Sequence, residues 1–159
     1  MKTYENEISM YEDIIKSISN ILEFRGYKFR VFRTWKEFDP YLKERYTQVI
    51  AVLQKDVLPD IMVLYGNTDK YEKTLIIEVK INSLIVKDIA QAKMYCDVFN
   101  ADALMLVSCI EVRNAFKDFY KLNNNFLKCN NGTILHTCVL LNSNLQIQNC
   151  FPNDGGCLR

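Results

Sequence analysis

The sequence predicts an α/β domain, built on a central mixed sheet of four to five strands with helices on both faces. Three observations predict it. Segments with apolar residues at three- and four-residue steps alternate along the chain with β-rich runs. The runs LPDIMVLY, TLIIEVKI and ALMLVS are apolar enough to lie inside a covered sheet. A chain of 159 residues, 49% of them hydrophobic, can bury one substantial core without staples. A single domain over residues 1–141 is expected, with 142–159, ending in PNDGGCLR, as a loose C-terminal tail.

From Tyr4 to Phe24, the residues Tyr4, Ile8, Tyr11, Ile15, Ile18 and Leu22 predict an amphipathic helix, and Gly26 supplies its stop. Tyr27 to Arg33 alternates, with Tyr27, Phe29 and Val31 on one face and Lys28, Arg30 and Phe32 on the other, as a strand does. Asp39-Pro40 is a helix start, and Leu42, Tyr46, Val49, Ile50 and Leu53 keep helical spacing through Lys55. Two β-rich runs then flank GNTDKYEK, whose Gly66-Asn67 favours a turn, so an antiparallel hairpin is expected. Ile85, Ile89, Ala92, Cys96 and Phe99 mark the next helix, and residues 103–108 an inner strand. A helix over about Glu111 to Leu122 and a strand over Thr133 to Leu141 complete the order.

The 20 basic and 19 acidic residues nearly cancel, so nucleic acid is not drawn in by a global positive field, and binding requires a local patch. The polar, acidic start MKTYENEISMYED lacks the basic opening and apolar core of a secretory signal, and no stretch approaches a membrane span. An intracellular location, cytoplasmic or nuclear, with no membrane partner, is the expectation. The six cysteines are accordingly expected to be reduced and mostly buried. With no CxxC pair and His136 as the only histidine, the ligand spacing of a zinc site is missing.

The chemistry concentrates in the hairpin. Period-two geometry puts Ile76, Glu78 and Lys80 on one face of the second strand, so a carboxylate and an ammonium project side by side. A half-exposed strand showing an ion pair to water is the competing explanation. The nearly continuous apolar character of the strand argues instead for polar groups set into a covered sheet, where unpaired charge is costly. Asp60 opens the partner strand after Pro59, and hairpin pairing brings its carboxylate toward Glu78. Two such carboxylates repel unless a cation lies between them. A hard divalent ion with several waters needs little more than two carboxylates and a main-chain carbonyl. Such an ion polarises a phosphate and activates a water, while a lysine orients or helps deprotonate that water and offsets transition-state charge.

Pro59-Asp60 followed by Glu78-Val79-Lys80 resembles the signature of the PD-(D/E)xK nuclease superfamily. The resemblance implies a restriction-endonuclease-like core and hydrolysis of phosphodiester bonds, DNA being favoured over RNA. It implies Asp60, Glu78 and the Val79 carbonyl as ligands of Mg2+ (Mn2+ as substitute), and Lys80 as the catalytic lysine. Gln91 and Tyr95, one turn apart on the following helix, resemble the QxxxY element of RecB-like members near the active site or nucleic acid; an ordinary boundary pair on a surface helix is the alternative. The helix-Gly-aromatic-strand run ending in GYKFRVFR resembles the start of archaeal Holliday junction resolvases, where a first-helix glutamate joins the metal site. Glu12 is assigned that role, with Glu5 and Glu7 as rivals. The helix from Pro40 to Lys55 departs from the compact hairpin usual there in those resolvases.

Lys28, Arg30, Arg33 and Lys36 around the first strand, with Arg25 beside them, and Lys87 and Lys93 on the QxxxY helix are the expected nucleic-acid contacts, through backbone phosphates. Tyr27, Phe29, Phe32 and Trp35 interleave with them as stacking residues or, more commonly for such aromatics, as core. By analogy with nucleases that cut two strands, a homodimer is one assembly open to this chain. The alternative to a nuclease is a non-catalytic nucleic-acid-binding or assembly module that keeps the fold. A small α/β interaction protein with a coincidental motif is the third option.

Overall fold

The computed structural model describes residues 4–34, 39–52, 58–141, 146–152 and 158; Trp35, Lys36, Leu53 and Lys55 lie outside them. The strands are β1 (Lys28–Arg33), β2 (Ile61–Gly66), β3 (Lys73–Lys80), β4 (Ala103–Ser108), β5 (Leu135–Leu141) and β6 (Gln146–Phe151), and the helices α1 (Tyr11–Phe24), α2 (Pro40–Arg45), α3 (Thr47–Val52), α4 (Val86–Phe99) and α5 (Asn114–Leu122). A 3-10 turn, Glu7–Met10, precedes α1. The six strands form one mixed sheet in sequence order. Strands β1, β2 and β3 pair antiparallel, β4 and β5 continue in parallel to β3, and β6 returns antiparallel on β5.

Strand β2 is buried at all of its positions and so is β4, as expected of apolar strands covered on both sides. On one face Met10, Tyr11, Ile14, Ile18 and Leu22 pack on Ile61, Val63, Leu75, Ile77, Val79, Met105 and Val107. On the other, Ile89, Ala92, Tyr95, Cys96 and Phe99 of α4 pack on Met62, Leu64, Ile76, Leu104 and Leu106. The mixed α/β architecture with helices on both faces is as the sequence predicts.

Four details differ from expectation. The sheet has six strands, not four to five, because β6 occupies part of the expected loose tail. An edge strand is paired on one side and less covered than an inner one, so QIQNCF reads as polar even though Ile147 is buried and its N–H donates to the Ser17 hydroxyl of α1 at 2.9 Å. Leu158, 1% exposed, also packs into the α1-side core.

The single helix expected from Pro40 is broken at Tyr46 (φ −119°, ψ 30°). The Tyr46 hydroxyl sits 2.7 Å from Thr74 Oγ1 and its ring packs edge-on against Phe99, so tertiary contacts override local propensity. The expected start is kept: Asp39 accepts from the Tyr41 N–H at 2.8 Å ahead of Pro40.

Through the 3-10 turn and α1 the buried stripe runs by Met10 and Ile14; Ile8 is 49% exposed and Ile15 only partly buried. The 3-10 turn, capped by Asn6, shifts the phase of the following helix. The stop is a Schellman arrangement at Gly26 (φ +74°), with Gly26 N–H on the Glu23 carbonyl and Tyr27 N–H on that of Leu22.

Cysteines expected to be reduced include one bonded pair, Cys138–Cys150, which β5 and β6 bring to a Cα separation of 4.1 Å. Cys96 and Cys129 are buried free thiols and Cys109 a half-buried one. Among the described residues no helix is long and apolar enough to cross a membrane.

Candidate metal centre

Strand β2 begins where β3 ends. The pair Ile61–Ile77 closes their ladder, and one step further the same register sets Asp60 across from Glu78. The segment before β2 is pinned to the end of β1: Thr34 N–H donates to the Asp60 carbonyl at 3.3 Å, and the Thr34 hydroxyl donates to that of buried Pro59. Proline fits at this strand start, since no ladder bond is asked of its nitrogen.

Beyond the last ladder pair the Asp60 side chain replaces the missing backbone partner. Its Oδ2 accepts from the Val79 N–H at 2.7 Å, and its Oδ1 accepts from the Tyr11 hydroxyl of α1 at 2.6 Å. Burial and then the Asp60 bond push the Tyr11 hydroxyl well above the ordinary phenol range, so it stays a donor. In an extended strand a residue's N–H and C=O point to the same side, so the Val79 carbonyl is directed to the Asp60 side as well.

Glu78 is 2% exposed. Its Oε1 accepts from Lys80 Nζ at 2.8 Å, while its Oε2 is buried with no hydrogen-bond partner among the described residues. Burial, reinforced by the charge of Asp60 and opposed by Lys80, raises its pKa to about 7. Lys80 is also 3.8 Å from Glu7 Oε1. Burial alone would lower the Lys80 pKa, but the bond to Glu78 and the charges of Glu78, Glu7 and Asp60 more than offset it, so Lys80 is held charged. The proton that moves near neutrality is therefore that of Glu78. Burial raises Glu7 too, with Lys80 opposing.

The structure thus brings Asp60, Glu78, Val79 and Lys80 together. Gln91 Nε2 donates to the Tyr95 hydroxyl at 3.1 Å. Tyr95 is buried, not at a surface margin, and the charges of Glu78 and Asp60 add to burial in raising its pKa. Glu12 stands apart: it is paired with Arg33 on the exposed side of α1, and the N-terminal carboxylate beside Lys80 is Glu7. Tyr11, a core residue by its helical spacing, is a further site residue that the motif does not contain. The available signal was that a buried tyrosine hydroxyl needs a partner.

Among the described residues, the basic side chains do not form one patch. Lys28 pairs with Asp69 at the far end of β1, about 17 Å along the strand from Arg33. Arg30 lies over the Phe32 and Tyr41 rings, and Arg33, on the opposite face, pairs with Glu12. Lys93 donates to the Phe126 carbonyl at 2.8 Å, Lys87 is exposed, and Lys36 lies outside the described residues. Of the interleaved aromatics, Phe32 is buried and stacked on Tyr41, and Tyr27 packs edge-on against Tyr65.

Among the described residues no three His, Cys, Asp or Glu side chains converge into a metal-ligand group. Among the described residues, Asp60, Glu78 and Val79 offer two carboxylates and a carbonyl here, with the Glu7 carboxylate beside Lys80. That set suits an ion that keeps several of its waters, and a ligand at Glu78 Oε2 would satisfy an otherwise orphaned buried atom. The chain matches no protein-family model, no curated protein and no solved structure.

Proposed function

We propose that this chain is a Mg2+-dependent nuclease of the PD-(D/E)xK type, with Mn2+ as substitute, hydrolysing phosphodiester bonds of nucleic acid. One observation carries the reading: Glu78, buried and opposite Asp60, has one oxygen bonded to Lys80 and the other unsatisfied. A buried carboxylate so disposed is costly in a purely structural role. The run of antiparallel β1, β2 and β3 into parallel β4 and β5, between α1 and α4, supports a restriction-endonuclease-like core.

Asp60, Glu78 and the Val79 carbonyl would hold the ion. Once bound, it supplies charge to a phosphate oxygen and acidity to a water. Lys80, with its side chain 18% exposed, reaches solvent while anchored on Glu78, so its ammonium can orient that water and neutralise developing charge. Gln91 and Tyr95 buttress the α4 side. DNA is the first substrate to test, and the basic residues would contact its backbone singly.

The test is cleavage of labelled single-stranded and duplex DNA, a four-way junction and RNA with Mg2+ or Mn2+, comparing wild type with Lys80→Ala and Glu78→Ala. Loss of cleavage in both folded variants, on the order of 10²–10⁴-fold for Lys80→Ala, supports the reading. No cleavage by wild type, with no effect of metal on thermal stability, removes it in favour of a non-catalytic module.

A further inference from the structure

We infer that Tyr11 is a positioning residue for the metal centre: its hydroxyl fixes the orientation of the Asp60 carboxylate, so the first helix serves the site through a phenol. The inference rests on the metal-site reading above. Two donors from different elements grip Asp60, the Val79 N–H of β3 on Oδ2 and the Tyr11 hydroxyl of α1 on Oδ1, at 2.7 and 2.6 Å. One donor alone leaves a carboxylate free to pivot about the bonded oxygen; two on different oxygens fix its plane. A carboxylate has about four lone-pair sites, so each oxygen keeps one for an ion. Tyr11 is itself immobile, 4% exposed and packed in one cluster with Met10, Ile14, Ile61 and Val79. Its neighbour Glu12 is turned to Arg33, which leaves no direct part for that carboxylate.

The relation is specific to Tyr11. Tyr4 makes the same kind of bond, its hydroxyl donating to Asp13 Oδ2 at 2.9 Å, and Asp13 is not part of the centre. Tyr4→Phe is therefore a matched control, removing a phenol–carboxylate bond from the same N-terminal region.

The experiment measures Mn2+ binding directly, by electron paramagnetic resonance of the free ion, and by thermal shift, on wild type, Tyr11→Phe, Tyr4→Phe and Glu78→Gln. Wild type and Tyr4→Phe are expected to bind alike, Tyr11→Phe about 10-fold or more weakly, and Glu78→Gln weakly or not at all. Tyr11→Met, another hydroxyl-free apolar side chain, replaces Tyr11→Phe should the latter not fold by circular dichroism. Equal Mn2+ affinity in wild type and the hydroxyl-free variant overturns the inference and leaves the metal site standing. Wild type that binds no Mn2+, or binds it as well as Glu78→Gln does, overturns the metal reading and this inference with it.

Discussion

Asp60 stands across from Glu78, one register step beyond the last β2–β3 ladder pair, and burial, reinforced by the charge of Asp60, makes Glu78 harder to ionise. Glu78 carries the consequence, with a pKa raised from an ordinary 4.5 to about 7. Between those values the folded protein keeps a proton that the unfolded chain releases. Without divalent ions, stability therefore falls as pH rises from about 4.5 toward 7 and levels off above, by at most about 3 kcal/mol. Urea unfolding across this range in EDTA reads the slope, and Glu78→Gln is expected to flatten it. An unchanged slope in that variant would assign the effect elsewhere.

Divalent ions should reverse this penalty. At 100 times its dissociation constant, Mn2+ adds about 2.7 kcal/mol to the stability of a folded state with one site. The gain should be larger at pH 8 than at pH 6, since at the lower pH Glu78 must first lose its proton. Thermal unfolding with Mn2+ and with EDTA at both pH values checks this. Both Asp60→Asn and Glu78→Gln are expected to abolish the increment.

Lys80 lies in the same network but is partly exposed, so its removal should affect activity more than stability. Lys80→Ala leaves Glu78 with both oxygens unpaired and without its favourable neighbour. The Glu78 titration should then move above its wild-type position near 7, seen as a rightward shift of the stability–pH profile in EDTA. Loss of stability at pH 8 should be only about 1 kcal/mol, because a Glu78 left without Lys80 can take up a proton about one pH unit above its titration near 7 instead of staying charged. A profile that does not move would show that Lys80 does not stabilise the Glu78 carboxylate.

The centre was legible in the sequence because it is built on the most regular part of the chain. Period two in TLIIEVKI puts Glu78 and Lys80 on one face, and the Gly66-Asn67 turn returns Asp60 to them. What stayed hidden was set by contacts distant in sequence. Tyr46 breaks a helix for the sake of Thr74 and Phe99, and an edge position lets β6 look like a tail. Choosing among Glu5, Glu7 and Glu12 required the phase of α1, which a 3-10 turn alters. The basic residues of β1 looked clustered because adjacency in sequence says nothing of strand face: Arg30 lies over rings on one side and Arg33 meets Glu12 on the other.

The bond between Cys138 and Cys150 closes a loop with a sequence separation of 12 and ties edge strand β6 to β5. On the chain-entropy account a loop of that length contributes about 3 kcal/mol. Reduction, or Cys150→Ala, is expected to lower stability by roughly 2–3 kcal/mol and to release β6 first, since β6 lies at the edge of the sheet and pairs with β5 alone. Hydrogen exchange should show residues 146–151 losing protection while β2 and β3 keep theirs. Metal binding and cleavage should persist, because Asp60, Glu78 and Lys80 lie on the other half of the sheet. Alkylation in denaturant, with and without prior reduction, decides the premise: two cysteines protected only before reduction, mapped to positions 138 and 150, are required, and full alkylation without reductant would remove both the bond and its predicted contribution.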